Sequence, residues 1–131
     1  MTGDYRVLVT GSREYRGSDV LREISLLAIE HGRENLVVVH GAARSGADKL
    51  ASIAARALGI REEPHPADWA KHNRAAGPLR NQEMVDAGAD EALAFFQEGA
   101  ANRGTADCVA RAGMAGIPVR RFSYTEGESA P

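Results

Sequence analysis

Four stretches of this sequence gather the residue types that bind anions: glycine, hydroxyl side chains and arginine. The first is Thr10-Gly11-Ser12-Arg13. Gly11 lets a backbone turn tightly and approach a ligand. Ser12 brings a hydroxyl and backbone N–H groups, and Arg13 a planar fork of donors that suits phosphate or carboxylate; the plain alternative is a turn with a surface arginine. The second runs from His40 through Gly41 and Gly46 to Asp48. Its small residues lead straight into a helix start, where unpaired N–H groups and a partial positive charge favour phosphate. Asp48 can stabilise that helix end, hold Arg44, or accept a ribose hydroxyl. The third holds Pro66-Ala67-Asp68-Trp69 and Ala76-Gly77-Pro78-Leu79-Arg80-Asn81. Trp69, the only tryptophan, is either a stacking surface for a base or an anchor that pins a polar loop. Arg80, beside a Gly-Pro helix entry with Asn81 next to it, is the best single candidate for a phosphate contact. The fourth runs from Gln97 to Cys108, with Arg103 ahead of Gly104-Thr105 and Asp107 behind. Gly104-Thr105 opens a helix there, with Thr105 the expected N-cap. Two helix starts facing one point make a stronger phosphate signal than either alone.

Other chemistries lack their residues. No Gly-x-Gly-x-x-Gly and no Gly-Lys-Ser/Thr occurs, so the dinucleotide fingerprint and the P-loop are both missing. No Gly-x-Ser-x-Gly elbow marks a serine hydrolase. The four histidines, His31, His40, His65 and His72, show no metal-ligand spacing, and neither a metal nor a cofactor is expected. Cys108 is the single cysteine, so no disulfide can close within the chain. Its place near a helix start could lower its pKa, but a small buried thiol is the simpler reading. With 16 basic and 18 acidic residues the formal net charge is −2. That argues against sequence-independent nucleic-acid binding, which needs a basic surface to displace counterions. Lys49 and Lys71 are the only lysines, so nearly all positive charge is arginine.

These stretches are positioned by alternating elements. Residues 6–10 form a β-branched run ending at Gly11, a strand. Val20, Ile24, Leu27 and Ala28 recur at helical spacing behind Ser18 and Asp19 as cap candidates, and Gly32 stops that helix. Residues 36–39 read as a strand buried on both faces. Ala47, Leu50, Ala51, Ala54 and Leu58 form a helical stripe ended by Gly59. Residues 60–64, rich in charge, suit an edge strand. Residues 66–78 read as a loop with a short helical turn. Pro78 fits the first turn of a helix running to Ala87, with Leu79, Met84 and Val85 as its interior positions. A strand at 91–96, a helix from Thr105 to about Ala115 and a strand at 118–122 follow.

The order β-α-β-α-β-α-β-α-β implies a single α/β domain: a five-stranded parallel sheet with helices on both faces, doubly wound and Rossmann-like. In such sheets ligands bind beyond the carboxyl ends of the strands, where the strand order reverses. All four stretches lie just after strands. The domain is expected to span residues 1–124, with 125–131 a polar tail. At 131 residues the chain can hold one core. No apolar run is long enough to span a bilayer and no secretory signal pattern opens the chain, so the expected setting is cytoplasmic, without membrane partners.

Taken in order, Thr10-Gly-Ser-Arg13, Gly46-Ala-Asp48, Ala67-Asp-Trp69, Ala76-Gly-Pro with Arg80-Asn81 and Met84, and Gly104-Thr105-Ala-Asp107 resemble the YspA/YpsA-related branch of the SLOG superfamily. That superfamily takes its name from the SMF/DprA DNA-processing proteins and the Lonely Guy cytokinin-activating enzymes. The resemblance covers roughly residues 7–122. It implies a Rossmann-like fold, a pocket for nucleotides or nucleotide-derived ligands, and a homodimer. Lonely Guy enzymes cleave the N-glycosidic bond of nucleoside 5′-monophosphates with a Pro-Gly-Gly-x-Gly-Thr-x-x-Glu motif and a helix-borne arginine. Here Gly104-Thr105 match the Gly-Thr and Arg80 matches the arginine, but the Glu position falls on Cys108 and Asp107 stands one residue early. A one-residue shift turns a helical side chain by ~100°.

The leading expectation is therefore a nucleotide-binding sensor or carrier. Its ligand contacts would come from Gly11, Ser12, Arg13, Gly41, Gly46, Asp48, Trp69, Arg80, Asn81, Arg103, Gly104 and Thr105. The alternative is a phosphoribohydrolase, with Asp107, Asp48 and Arg80 as the chemical groups, so enzymatic activity is left open. A DNA-interacting module is the third reading, disfavoured because single strands want stacking rings in a basic groove.

Overall fold

The computed structural model describes residues 3–125; residues 126–131 of the expected tail lie outside them. Five strands form one sheet: β1 (Tyr5–Gly11), β2 (Leu36–His40), β3 (Arg61–Pro64), β4 (Glu91–Gln97) and β5 (Val119–Tyr124). All pair in parallel, in the order β3-β2-β1-β4-β5. The expected α/β Rossmann-like architecture is what the chain adopts. The order reverses between β1 and β4, so a crevice opens beyond Gly11 and Gln97, where the connecting loops diverge.

Strand alternation divides the core. Val7, Val9, Leu36, Val38, Leu93 and Phe95 face α1 (Asp19–His31) and α2 (Gly46–Leu58). Leu8, Val37, Val39 and Ala92 face α4 (Ala76–Ala87) and α5 (Arg103–Met114). β2 is buried along its whole length, as a two-faced parallel strand must be. β3 is the charged edge strand foreseen.

Local details depart from the sequence reading where packing overrides pattern. On α2 the buried positions are Ala47, Asp48, Ala51, Ala54 and Ala55, whereas Leu50 and Leu58 are only half-buried. Small side chains let this helix lie close to the sheet. On α4 the interior is Ala76, Gly77, Asn81, Met84 and Val85; Leu79, expected inside, is 50% exposed. The buried face thus runs 77-81-84-85, and Leu79 falls beside it. Ser18 is the N-cap residue of α1, but its side chain makes no capping bond. The polar segment after β3 holds a four-residue helix, α3 (Trp69–His72), and a 3₁₀ turn that runs directly into α4.

Candidate functional site

A cleft of ≈570 Å³ lies over the β1/β4 switch, within the usual ~300–1,000 Å³ of ligand pockets. It takes Gly11 from the end of β1, Ser12 and Arg13 from the loop after it, Asp48 from α2, Trp69 from α3, Arg80 and Asn81 from α4, and Arg103, Gly104, Thr105 and Asp107 from α5. Ten of the twelve expected ligand residues line it; Gly41 and Gly46 do not.

Those two glycines make room for other parts of the site. A Cβ on Gly41 would run into the Arg80 guanidinium and Asp48 Oδ2. Gly41 also accepts a hydrogen bond from Arg80 Nη1 through its carbonyl. Gly46, at φ +73°, presses the start of α2 against the backbone of Ser12 and Arg13. Gly11 likewise leaves space for Ala47 and Phe95 rather than for a ligand.

Of the loop after β2, where free amides are expected, Ala42 and Ala43 are already engaged, as is Ala47 at the start of α2. Ala42 N–H donates to His40 Nδ1 (3.0 Å), Ala43 N–H to Asp48 Oδ2 (3.2 Å), and Ala47 N–H to Ser12 O (3.1 Å). Ser12 N–H is also used, donating to Phe95 O at 3.0 Å. The Ser12 hydroxyl accepts from Glu14 N–H, keeping its own proton for another acceptor. His40 Nδ1 must be the acceptor nitrogen, so Nε2 carries the proton toward Glu62 Oε1, 2.9 Å away.

The helix start that opens into the cleft is that of α5. Its N-cap is Asn102, in the left-handed region at φ +54°, and not Thr105. Asn102 instead clamps its own loop: Oδ1 accepts from Gln97 N–H, and Nδ2 donates to the carbonyls of Gln97 and Ala100. Its side chain is therefore not spent on capping. The first intrahelical bond is Ala106 N–H to Asn102 O. The amides of Arg103, Gly104 and Thr105 precede that bond, and all three residues line the cleft. Thr105, buried in the third helical position, helps form its floor.

Four arginines line the cleft: Arg13, Arg74, Arg80 and Arg103. Arg13 stacks its guanidinium over Trp69, 5.2 Å from the ring centre. Trp69 is 47% exposed, so it is a wall of the cleft rather than a buried anchor. Arg80 is held by Gly41 O and by Asn81 Oδ1, the latter at 3.0 Å from Nε. Asn81, 3% exposed, uses its amide nitrogen on Gly104 O and Asp107 Oδ2. Its role is to join α4 to α5 and fix Arg80. Arg74 escaped the sequence reading. Its arginine was visible, but the turn through Asn73 at φ +51° that brings it round was not.

The carboxyl groups differ in kind. Burial pushes Asp48 above the usual carboxylate range, against the opposing Ala43 N–H and the Arg80 charge. Burial would also raise Asp107, but the hydrogen bonds from Arg111 and Asn81 outweigh it and hold Asp107 below that range. Burial pushes the Cys108 thiol up to about 11, leaving it the inert interior thiol of the simpler reading.

Fold and site together define a Rossmann-like protein with an arginine-lined crevice at the sheet's switch point. The chain belongs to the YspA, cpYpsA-related SLOG family, whose sequence model matches residues 5–72. It is 41% identical over 122 residues to the Gene 61 protein of Mycobacterium phage D29, across 89% of this chain and 95% of that protein. No solved structure matches it at a significant level. Family membership points to a nucleotide-related function. Among the described residues no helix is long and apolar enough to cross a membrane.

Proposed function

We propose that the crevice binds a nucleotide or nucleotide-derived ligand and that the protein acts as its sensor or carrier. The observation that carries this reading is the convergence of four arginines and the uncapped start of α5 on one cleft beside an accessible indole. Arginine forks and helix-start amides are the groups that neutralise and orient phosphate. Trp69, already stacked on Arg13, offers its face to a base. Asp48 accepts a ribose hydroxyl through its remaining lone pairs.

Thermal unfolding against nucleoside monophosphates, ADP-ribose, NAD and cyclic nucleotides tests the reading. A ligand at a hundredfold over its Kd adds about 2.7 kcal/mol, a rise of several degrees in Tm for a domain of this size. No rise with any member of the panel would sink it. Arg80→Ala is expected to weaken binding at least tenfold, about 1.4 kcal/mol; titration calorimetry on both proteins reads this directly.

One observation favours a second reading, a phosphoribohydrolase. Asp48 is a buried carboxyl with a raised pKa at the edge of a cleft, the setting of a general acid. Release of free base and ribose 5-phosphate from a nucleoside monophosphate, lost in Asp48→Asn, would establish turnover.

A second copy of this chain is the proposed partner, docked through α1. Leu21, Leu26 and Ile29 are 53, 52 and 81% exposed along that helix. Arg22 and Glu30 flank Leu26 four residues to either side. Two antiparallel α1 helices crossing at Leu26 would set each Arg22 against the partner's Glu30, a self-complementary arrangement.

A further inference from the structure

A second cleft of ≈580 Å³ adjoins the first. The two share Arg13, Glu14 and Ala100, so they meet across one ridge. The second is bounded further by Ser45 and Gly46 at the start of α2 and by Gln97 at the end of β4. Nothing in the nucleotide reading uses it.

Gln97 is 6% exposed. Among the described residues its Oε1 is the single buried side-chain nitrogen or oxygen without a hydrogen-bond partner. Native proteins rarely tolerate this, because the group has given up water and received nothing in exchange. Asn102 grips both its N–H and its carbonyl, so the backbone is fixed at the end of the strand and only the side chain can turn. Apolar packing would be served better by leucine or methionine at this position. Gln97 lines the second cleft, and rotation of its side chain would present this buried acceptor to a ligand there.

We propose that this cleft is a second subsite, taking the distal half of a ligand longer than a mononucleotide, with Gln97 Oε1 accepting a hydrogen bond from it. The inference rests on the nucleotide reading of the first cleft. The orphan atom sets the chemistry. Phosphate offers no proton at neutral pH, so the distal half carries a hydroxyl, amine or carboxamide. Arg13, on the shared ridge, lies where a bridging phosphate would cross. The ligand class is thus a nucleoside diphosphate whose second phosphate bears a sugar or a second nucleoside.

Affinities of matched pairs test this: AMP against ADP-ribose and NAD, GMP against GDP-mannose, and UMP against UDP-glucose. With the wild-type chain the extended member of at least one pair is expected to bind tenfold or more tightly than its monophosphate. In Gln97→Met, a near-isostere without the orphan, that gain falls below threefold while monophosphate affinity is unchanged. The ligand-free variant also unfolds at a higher temperature than wild type, since it no longer buries an unpaired acceptor. If a monophosphate binds but no extended ligand binds more tightly, the subsite is wrong and the first cleft stands. A gain that survives in Gln97→Met also overturns the subsite. If no monophosphate and no extended ligand binds, both readings fall. The wild-type pairs decide the matter even if the variant does not fold.

Discussion

Gly46 and Arg80 show how single positions hold the crevice in shape. At φ +73°, any L side chain at position 46 is strained, and its Cβ would meet Ser12 and Arg13 main-chain atoms that cannot rotate away. Conformation alone costs about 1–2 kcal/mol for alanine in this region. Gly46→Ala is therefore expected to lose at least that much stability, with Tm falling by several degrees in calorimetry. An unchanged Tm would mean that α2 does not press on the β1 loop as described. Gly41→Ala tests a different contact. Its methyl would displace the Arg80 guanidinium, so it should reproduce the binding loss of Arg80→Ala without touching the arginine itself. The identity of these residues was plain in the sequence. Their roles were not: Gly41 and Arg80 stand 39 positions apart, and no local pattern relates them.

Among the helices, α5 and α1 carry the clearest consequences. Asn102 caps α5 three residues before Thr105, the cap that the Gly-Thr pair suggests. The preference of Thr for N-caps is real, but here the three-fold grip of the Asn102 side chain on the β4 loop decides where the chain turns. Replacing Asn102 with Ala frees that loop at both clefts, so nucleotide affinity should fall together with stability. For α1 the expected outcome is a change of assembly. The wild-type chain should sediment as a dimer at tens of micromolar, and Leu26→Glu, which sets acidic groups together across the twofold, as a monomer of unchanged fold. A wild-type monomer would remove the α1 pairing.

Across the molecule, one ionic cluster ties the sheet edge to the helices. Arg6 on β1 forms a bidentate pair with Glu63 on β3, at 2.7 and 2.8 Å. His65 Nε2 lies 2.7 Å from Glu63, and Nδ1 lies beside Glu83 on α4. The Arg6 hydrogen bond and the neighbouring charges hold Glu63 down at about 2. Burial would lower His65, but its bonds to Glu63 and Glu83 prevail and raise it above the ordinary 6.5. The folded state thus binds the His65 proton more tightly than the unfolded chain does. That stabilisation is complete below pH 6.5 and fades as pH rises through the raised value. The Glu63 part runs the other way: it is complete above pH 4.5 and is lost as pH falls toward 2. The cluster is strongest between those limits. Raising the pH from 6 to 8 should lower the wild-type Tm more than that of His65→Gln, and parallel curves would remove His65 from the account.

The element types, their order and the parallel sheet were legible in the sequence because they follow from local signals. Apolar runs of strand length, helical periodicity and glycine stops all act within a few residues of where they are written. Given those, right-handed crossovers left one architecture, and the anion-binding stretches had to fall at the carboxyl ends of the strands. What the tertiary structure decided are the pairings across the chain. It turned the amides of Ala42 and Ala43 inward onto His40 and Asp48, and left the start of α5 without a side-chain cap. It exposed Leu79 and buried Asn81, brought Arg74 round to the cleft, and stranded Gln97 Oε1 without a partner. Hydrogen bonding and close packing join groups tens of residues apart through directions and distances that only the assembled sheet and helices supply, and a linear pattern does not encode them.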